Sequence, residues 1–191
     1  MKRKFYILNE NIQKDSLYIT DSNLTEEHEH SLKENALIKD LKEPIEFYYE
    51  GKNIADYISA NKSYIAIVSL KFKKVLDPFK INNLHFYPVL LKEKITDKNS
   101  KKDYYIMSLP IVSFFDYDKS LYRGLKEEQY IGKIDKMEVD ENAMKGFKIV
   151  RFKELITQIL IDENIKNSLM EADLSGLDLL PSEEFKFPYM P

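Results

Sequence analysis

Two stretches of the chain repeat one order of apolar and polar positions. With Ser69 placed over Asp162 and no gap after it, residues 67–88 run in register with residues 160–181. Short β-branched and apolar runs, "YIAIV" and "QILI", come first and read as strands. Ser69 and Asp162 follow, and either side chain can accept the orphan N–H groups of a first helical turn. Apolar side chains then fall at Phe72, Val75, Leu76 and Phe79 in the first stretch, and the same offsets hold Ile165, Ser168, Leu169 and Ala172 in the second. The spacing i, i+3, i+4, i+7 puts each set on one helical face. Beyond the helices Ile81 matches Leu174. Asn83 matches Gly176, and these two residue types best tolerate positive φ in a turn. Leu84, Phe86 and Pro88 then match Leu177, Leu179 and Pro181. Both stretches predict strand, cap, helix, turn and strand, whether by duplication or by two units obeying the same rules.

Elsewhere the pattern is mainly that of strands: "KFYIL", "SLYIT", "IEFYYEGKN", "HFYPVLLKEKI", "DYYIMSLPIV", "QYIGKIDKMEV" and "FKIVRF". "DKNSKKD" and "DENAMKG" are turns by composition. Residues 24–43 are polar with sparse apolar positions and read as a solvated helix or loop, and "NIADYISA" reads as one short helix. Strands joined directly, with two or three helices, predict an α+β domain with a mostly antiparallel or mixed sheet and two strand–helix–strand units packed on it. The tail "EFKFPYMP" alternates Phe185, Phe187 and Tyr189, so one face of it docks on the core or on a sheet edge.

A chain of 191 residues is accommodated by a single domain, here 1–191, with residues 1–60 carrying no motif. There is no cysteine, which removes disulfides, zinc–thiolate sites and thiol catalysis. The apolar run after the basic start "MKRK" covers only Phe5 to Leu8, too short for a secretion signal, and no stretch approaches a membrane span. A cytoplasmic, soluble protein is expected. A formal charge of −3 speaks against a nucleic-acid binder. That average hides a segregation of charge. Residues 71–102 hold nine lysines against three acids, whereas residues 162–184 hold Asp162, Glu163, Glu171, Asp173, Asp178, Glu183 and Glu184 against Lys166 alone.

Candidate chemistry is sparse. The glycines Gly51, Gly124, Gly132, Gly146 and Gly176 stand singly, so no phosphate-cradling loop, dinucleotide fingerprint or nucleophile elbow can be assembled. His28 and His30 in "EEHEH" would share one side of an extended strand, but a metal needs a third ligand, and the segment is solvated. His85 reads as a partly buried strand histidine. Asp116 and Asp118 in "FFDYDKSLY" have the spacing of a magnesium–phosphate enzyme, the main rival reading, yet no basic pocket accompanies them and a turn uses the same residues for its own backbone. Lys71, Lys73 and Lys74 form the outer face of a helix, although a lysine-rich regulatory binding module is a further alternative. No cofactor and no metal are expected, and nothing specifies a homo-oligomer.

Three blocks taken in order carry a resemblance: "IVSLKFKKVLDPFKINNLHFYPV", "YYIMSLP" with "FFDYDKSLY", and "FKIVRFKELITQILIDENIKNSLMEADLSGLDLLP". Together with the short aromatic strand "KFYIL", residues 64–191 resemble the bacterial immunity-protein family numbered eleven in polymorphic toxin systems, formerly a domain of unknown function. Members often carry serine at the second helix cap where this chain has Asp162. The resemblance implies a non-enzymatic antitoxin that binds a cognate toxin protein and blocks it, without nucleic acid or membrane. It directs attention to Asp173, Asp178, Glu183 and Glu184 as an acidic face for a basic toxin, and to Phe185, Phe187 and Tyr189 as aromatic anchors.

Overall fold

The computed structural model describes residues 3–14, 16–39, 41, 43–60, 64–94 and 101–187. In chain order they form β1 (Phe5–Glu10), β2 (Tyr18–Ser22), α1 (Glu26–Lys33), β3 (Ile45–Glu50), β4 (Tyr57–Ser59), β5 (Ala66–Ser69), α2 (Leu70–Leu76), β6 (His85–Glu93), β7 (Lys101–Ser108), β8 (Ile111–Val112), β9 (Leu121–Leu125), β10 (Tyr130–Lys136), β11 (Ile149–Phe152), β12 (Ile159–Asp162), α3 (Glu163–Glu171) and β13 (Leu177–Pro181). The class is α+β, with mixed sheets. Among the described residues no helix is long and apolar enough to cross a membrane. The chain divides into two compact units: residues 10–110 with 169–177, and residues 1–9, 111–168 and 178–191.

The first unit is built on a six-stranded sheet of order β2-β3-β6-β7-β5-β4. β3 and β6 are parallel and the other pairs antiparallel. β3 alternates buried and half-buried residues, so Ile45, Phe47 and Tyr49 enter a core with Ile67, Leu91 and Ile106. α2 starts where β5 stops because the Ser69 hydroxyl accepts the Phe72 N–H at 3.1 Å. Phe72 and Leu76 are buried beneath it, and the chain turns through Asn83 at φ 59°. The polar segment 24–43 contains α1, with Thr25 accepting the His28 N–H at its cap. The helix expected in "NIADYISA" is corrected. Tyr57, Ile58 and Ser59 pair with Val68, Ile67 and Ala66 as β4. Buried Tyr57 and Ile58 are held by a ladder to residues later in the chain, which local composition does not reveal.

A clasp closes this unit. The Asp56 carboxylate accepts the Ser69 hydroxyl at 2.6 Å and both the N–H and the hydroxyl of Ser175 at 2.9 Å. Gly176, at φ 79°, lies so close that a Cβ would stand 2.4 Å from that of Ala55 and 2.6 Å from the Tyr57 carbonyl oxygen. Only glycine fits there.

The second unit holds a five-stranded sheet of order β13-β1-β12-β11-β8 and the two-stranded hairpin β9–β10. Phe5, Ile7, Phe114, Phe115, Ile134, Val150, Phe152 and Leu160 fill its core, and the Phe114 and Phe152 rings lie 4.5 Å apart. α3 begins at Asp162, whose Oδ1 accepts the Ile165 N–H at 3.0 Å, and Ile165 is fully buried. "DENAMKG" is a turn, as expected; of "DKNSKKD", residues 97–100 lie outside the described residues and Lys101–Asp103 are the start of β7, not a turn.

The two echoing stretches share more than local pattern. β4-β5-α2-β6-β7 gives the strand order β6-β7-β5-β4, and β11-β12-α3-β13 together with β1 gives β13-β1-β12-β11. The shared pairings run the same way: β4 with β5 and β11 with β12 are antiparallel, as are β7 with β5 and β1 with β12. In one unit the inserted strand follows the module in the chain. In the other it is the N-terminal strand, so the second module has the strand order of the first with that strand moved to the front of the chain.

Candidate functional site

The seven acids of residues 162–184 divide by task. Asp162 is only 5% exposed and caps α3, with the Arg3 guanidinium 3.8 Å from its other oxygen. Exposed Glu163 lies in the first turn of α3, where the helix dipole favours an anion, and pairs with Lys4 at 3.5 Å. Glu171 and Asp173 are exposed and belong to the unit of residues 10–110 and 169–177. Asp173 stands at φ 48° just past α3, and its backbone carbonyl, not its carboxylate, accepts the Lys71 ammonium at 2.8 Å.

Asp178, Glu183 and Glu184 are exposed and belong to the other unit. Asp178 sits on the edge strand β13, its Oδ1 accepting the Leu179 N–H at 2.9 Å. Glu183 and Glu184 lie in the 3-10 turn Ser182–Glu184, and among the described residues neither takes an ion-pair partner. Glu183 borders a groove of about 340 Å³ with Glu138, Glu141, Lys4 and Arg3, floored by Phe5 and Met137. Arg3 is fixed in place there. Its guanidinium donates to the carbonyls of Met144 at 2.9 Å and Phe147 at 3.0 Å and lies 4.9 Å from the Phe5 ring centre. Three carboxylates and two cations thus line the groove, and one of the carboxylates, Glu138, is itself paired with Lys136 at 2.8 Å.

The aromatic tail is placed differently from a row of free anchors. Phe185 is 6% exposed and its ring belongs to the core, so that side chain is withdrawn from any contact surface. Phe187 is half-buried and exchanges both backbone hydrogen bonds with Ile134, at 3.1 and 3.2 Å, adding one rung to β10. Docking of the tail on core and sheet edge is thus as expected. Tyr189 lies outside the described residues.

Asp116 and Asp118 are occupied by a turn. Asp116 Oδ1 accepts the N–H groups of Asp118 and Lys119, and its Oδ2 holds the Lys119 ammonium at 2.6 Å. That ammonium, aided by the two N–H groups, keeps the Asp116 carboxyl below the usual carboxylate range despite partial burial. Asp118 binds a different lysine, Lys126, at 2.6 Å. His28 and His30 lie on α1 rather than on a strand, so two residues apart they do not share a side. Among the described residues no group of three or more His, Asp or Glu is disposed to hold a metal ion. His85 is a half-buried histidine of β6, its ring 6.4 Å from that of Tyr87.

Sequence reasoning missed Glu138 and Glu141, which lie about 45 residues from Glu183 in the chain and meet it only through the fold. It also missed the outer side of the β9–β10 hairpin, where Leu121, Leu125 and Tyr130 are all more than half exposed and Tyr130 faces Leu125 across the strands. Their alternation with half-buried Tyr122 and buried Ile131 and Ile134 reads equally well as a strand lying within a core.

No curated protein matches this chain. A model of one protein family, described as Immunity protein family (Imm11), matches residues 5–184 and so takes in both units and both echoing modules. The chain belongs to the Imm11 immunity protein family.

Proposed function

We propose that the protein is a bacterial, cytoplasmic immunity protein that binds a cognate toxin protein and neutralises it by contact, without chemistry of its own. Family membership supports an immunity role, and the observation that carries the contact surface is the pair of exposed carboxylates, Glu183 and Glu184, that take no ion-pair partner among the described residues. Carboxylates already paired inside the protein give up that pairing when a partner arrives, whereas unpaired ones add their full field to a cationic surface. Asp178 extends this face along an exposed edge strand, and Asp173 supplies a second acidic point in the other unit. The toxin face is accordingly basic, as on a nuclease or a nucleotide-binding enzyme. Phe187 and Tyr189 are the tail residues left to serve as anchors.

The decisive test is co-expression with the product of the adjacent upstream open reading frame. Cells making that product alone should die, and cells making both should grow, with the two proteins recovered as one complex. A product that is harmless alone, or lethal whether or not this chain is present, contradicts the reading.

A further inference from the structure

In the unit of residues 10–110 and 169–177, a cavity of about 170 Å³ opens into the core between the end of β2, α1 and the residues that close β4 on β5. Its floor is Ile19, Phe47, Ala60 and Ile65, each at most 6% exposed and all members of one apolar cluster. Strand register explains the gap. Ile19 lies opposite Tyr49 and Ser22 opposite Phe47, and Tyr49 and Phe47 point to the same face, so the bulge between Ile19 and Asp21 returns Ser22 to the core side. Small side chains at Ser22 and Ala60 therefore stand where larger ones would close the cavity. We propose that this cavity is a socket for one apolar side chain, of leucine to phenylalanine size, carried by a partner protein next to a lysine or arginine. The partner's identity as the toxin rests on the immunity reading; the socket's chemistry stands without it.

Size is the first argument. Small-molecule sites occupy roughly 300–1,000 Å³, whereas an apolar cavity of about 150 Å³ stays dry and takes benzene. At about 170 Å³ the space matches one branched aliphatic or aromatic side chain. Half-buried Leu24 adds apolar wall, and exposed Asp21 stands at the rim, where the cavity meets solvent. Charge is the second. Among the described residues no lysine or arginine lines the cavity. From Ser16 to Leu32 the sequence holds Asp21, Glu26, Glu27 and Glu29 and no lysine or arginine. Glu29 is tied to the Tyr64 hydroxyl at 3.2 Å, and Lys33 lies over the Tyr64 ring, so the exposed Asp21, Glu26 and Glu27 supply the field. Asp21 accepts the Ser22 N–H at 2.8 Å, a bond that leaves its charge in place. A cation beside the inserted side chain is drawn to that field, and a carboxylate there is repelled.

The socket is also preformed. The Asn23 side chain accepts the Glu46 N–H at 2.8 Å, the Asn23 backbone N–H donates to the Glu46 carbonyl at 3.1 Å, and the Thr20 hydroxyl donates to the Tyr48 carbonyl at 3.2 Å, which together fix the end of β2. Across the cavity the Ala60 N–H donates to the Ile65 carbonyl at 3.0 Å. Apolar walls held by backbone bonds need little ordering when a side chain enters, and a filled, water-excluding pocket is where interface energy concentrates.

The experiment titrates the full chain with phenethylamine, ethylbenzene and hydrocinnamate as cationic, neutral and anionic probes, followed by methyl and amide NMR. Phenethylamine should shift Ile19, Ser22, Leu24 and Ile65 saturably, ethylbenzene should bind about threefold more weakly, and hydrocinnamate more weakly again. Ser22→Leu fills the space and should abolish binding of all three. Ala60→Val, a smaller change on the opposite wall, should do the same, so a misfolded Ser22→Leu would not hide the answer. Shifts spread over the surface, hydrocinnamate binding as tightly as phenethylamine, or binding indifferent to both substitutions would overturn the socket. Against the product of the adjacent upstream open reading frame, Ser22→Leu should raise Kd about tenfold. An unchanged Kd would remove the toxin as occupant, and a dimer of this chain that Ser22→Leu dissolves would put a second copy in its place. The two readings fail separately. Rescue that persists without probe binding leaves the immunity function and removes the socket; probe binding in the predicted order without rescue leaves the socket and removes the toxin as its partner.

Discussion

The two modules share one strand order, one helix placement and one capping device, yet the outer faces of their helices carry opposite charge. α2 exposes Lys71 and Lys74, with Lys73 lying over the Phe86 and Tyr105 rings, whereas α3 exposes Glu163 and Glu171. Inside, the matched positions obey one rule: Phe72 and Ile165 are both fully buried three residues after the cap. The comparison separates what the fold demands from what it leaves open. Buried positions and caps are constrained by packing and hydrogen bonding. Solvated positions are free to vary, and that freedom is where two copies of one plan acquire different partners.

The largest effects are expected where the modules agree. Phe72→Ala should cost about 3–5 kcal/mol and Ile165→Ala about 2–5 kcal/mol, since each removes a fully buried side chain and leaves a cavity. Each unit is assembled from separate chain segments, so we propose that the chain unfolds as a single domain. Both substitutions should then lower one shared calorimetric transition; two transitions, with each substitution moving only one, would contradict single-domain behaviour.

Smaller effects come from the caps. Ser69→Ala removes a cap and also the clasp hydrogen bond to the Asp56 carboxylate, and should cost about 2 kcal/mol. Asp162→Ala removes a buried cap and the carboxylate nearest Arg3, and should cost about 2 kcal/mol. Urea unfolding measures each cost, and Asp162→Asn, which keeps a capping oxygen but not the charge, isolates the Arg3 contact: no loss in that variant would show that the contact adds nothing.

Acid should act on the clasp at Asp56. Burial raises its carboxyl pKa, but the Ser175 N–H, the Ser69 and Ser175 hydroxyls and the charge of Lys71 outweigh burial and leave it lowered. A carboxyl whose folded pKa lies below its unfolded one contributes stability fully above the unfolded value, about 3.9, and loses it as pH falls through the folded value. Asp56→Asn should therefore lower stability at pH 7 and flatten its fall below about pH 4. An unchanged acid-unfolding profile in the variant would remove Asp56 from the account.

Much of this architecture is legible in the sequence because its determinants are local. Caps at Ser69 and Asp162, helical spacing behind them and positive-φ residues at Asn83 and Gly176 need only their immediate neighbours. What escaped needs partners distant in sequence. Tyr57–Ser59 is a strand because β5 pairs with it, against the helical look of "NIADYISA". "KFYIL" announces a strand but not that β1 lies between β12 and β13, a place fixed by residues more than 150 positions later. The same limit applies to the site. The run of acids was visible, but that Asp162 caps a helix while Glu183 lines a groove with Glu138 and Glu141 is decided by topology.

The smallest effect on stability and the largest on function should fall on the exposed acids. Asp178→Lys, Glu183→Lys and Glu184→Lys combined should move unfolding by only about 0.5 kcal/mol per site, as surface changes usually do. The most direct measurement is the association rate of this triple variant with the product of the adjacent upstream open reading frame, over a range of salt. A rate at least about tenfold below that of the unaltered chain at low salt, with the gap closing as salt rises, is the predicted result. Equal rates at every salt concentration would contradict an acidic recognition face.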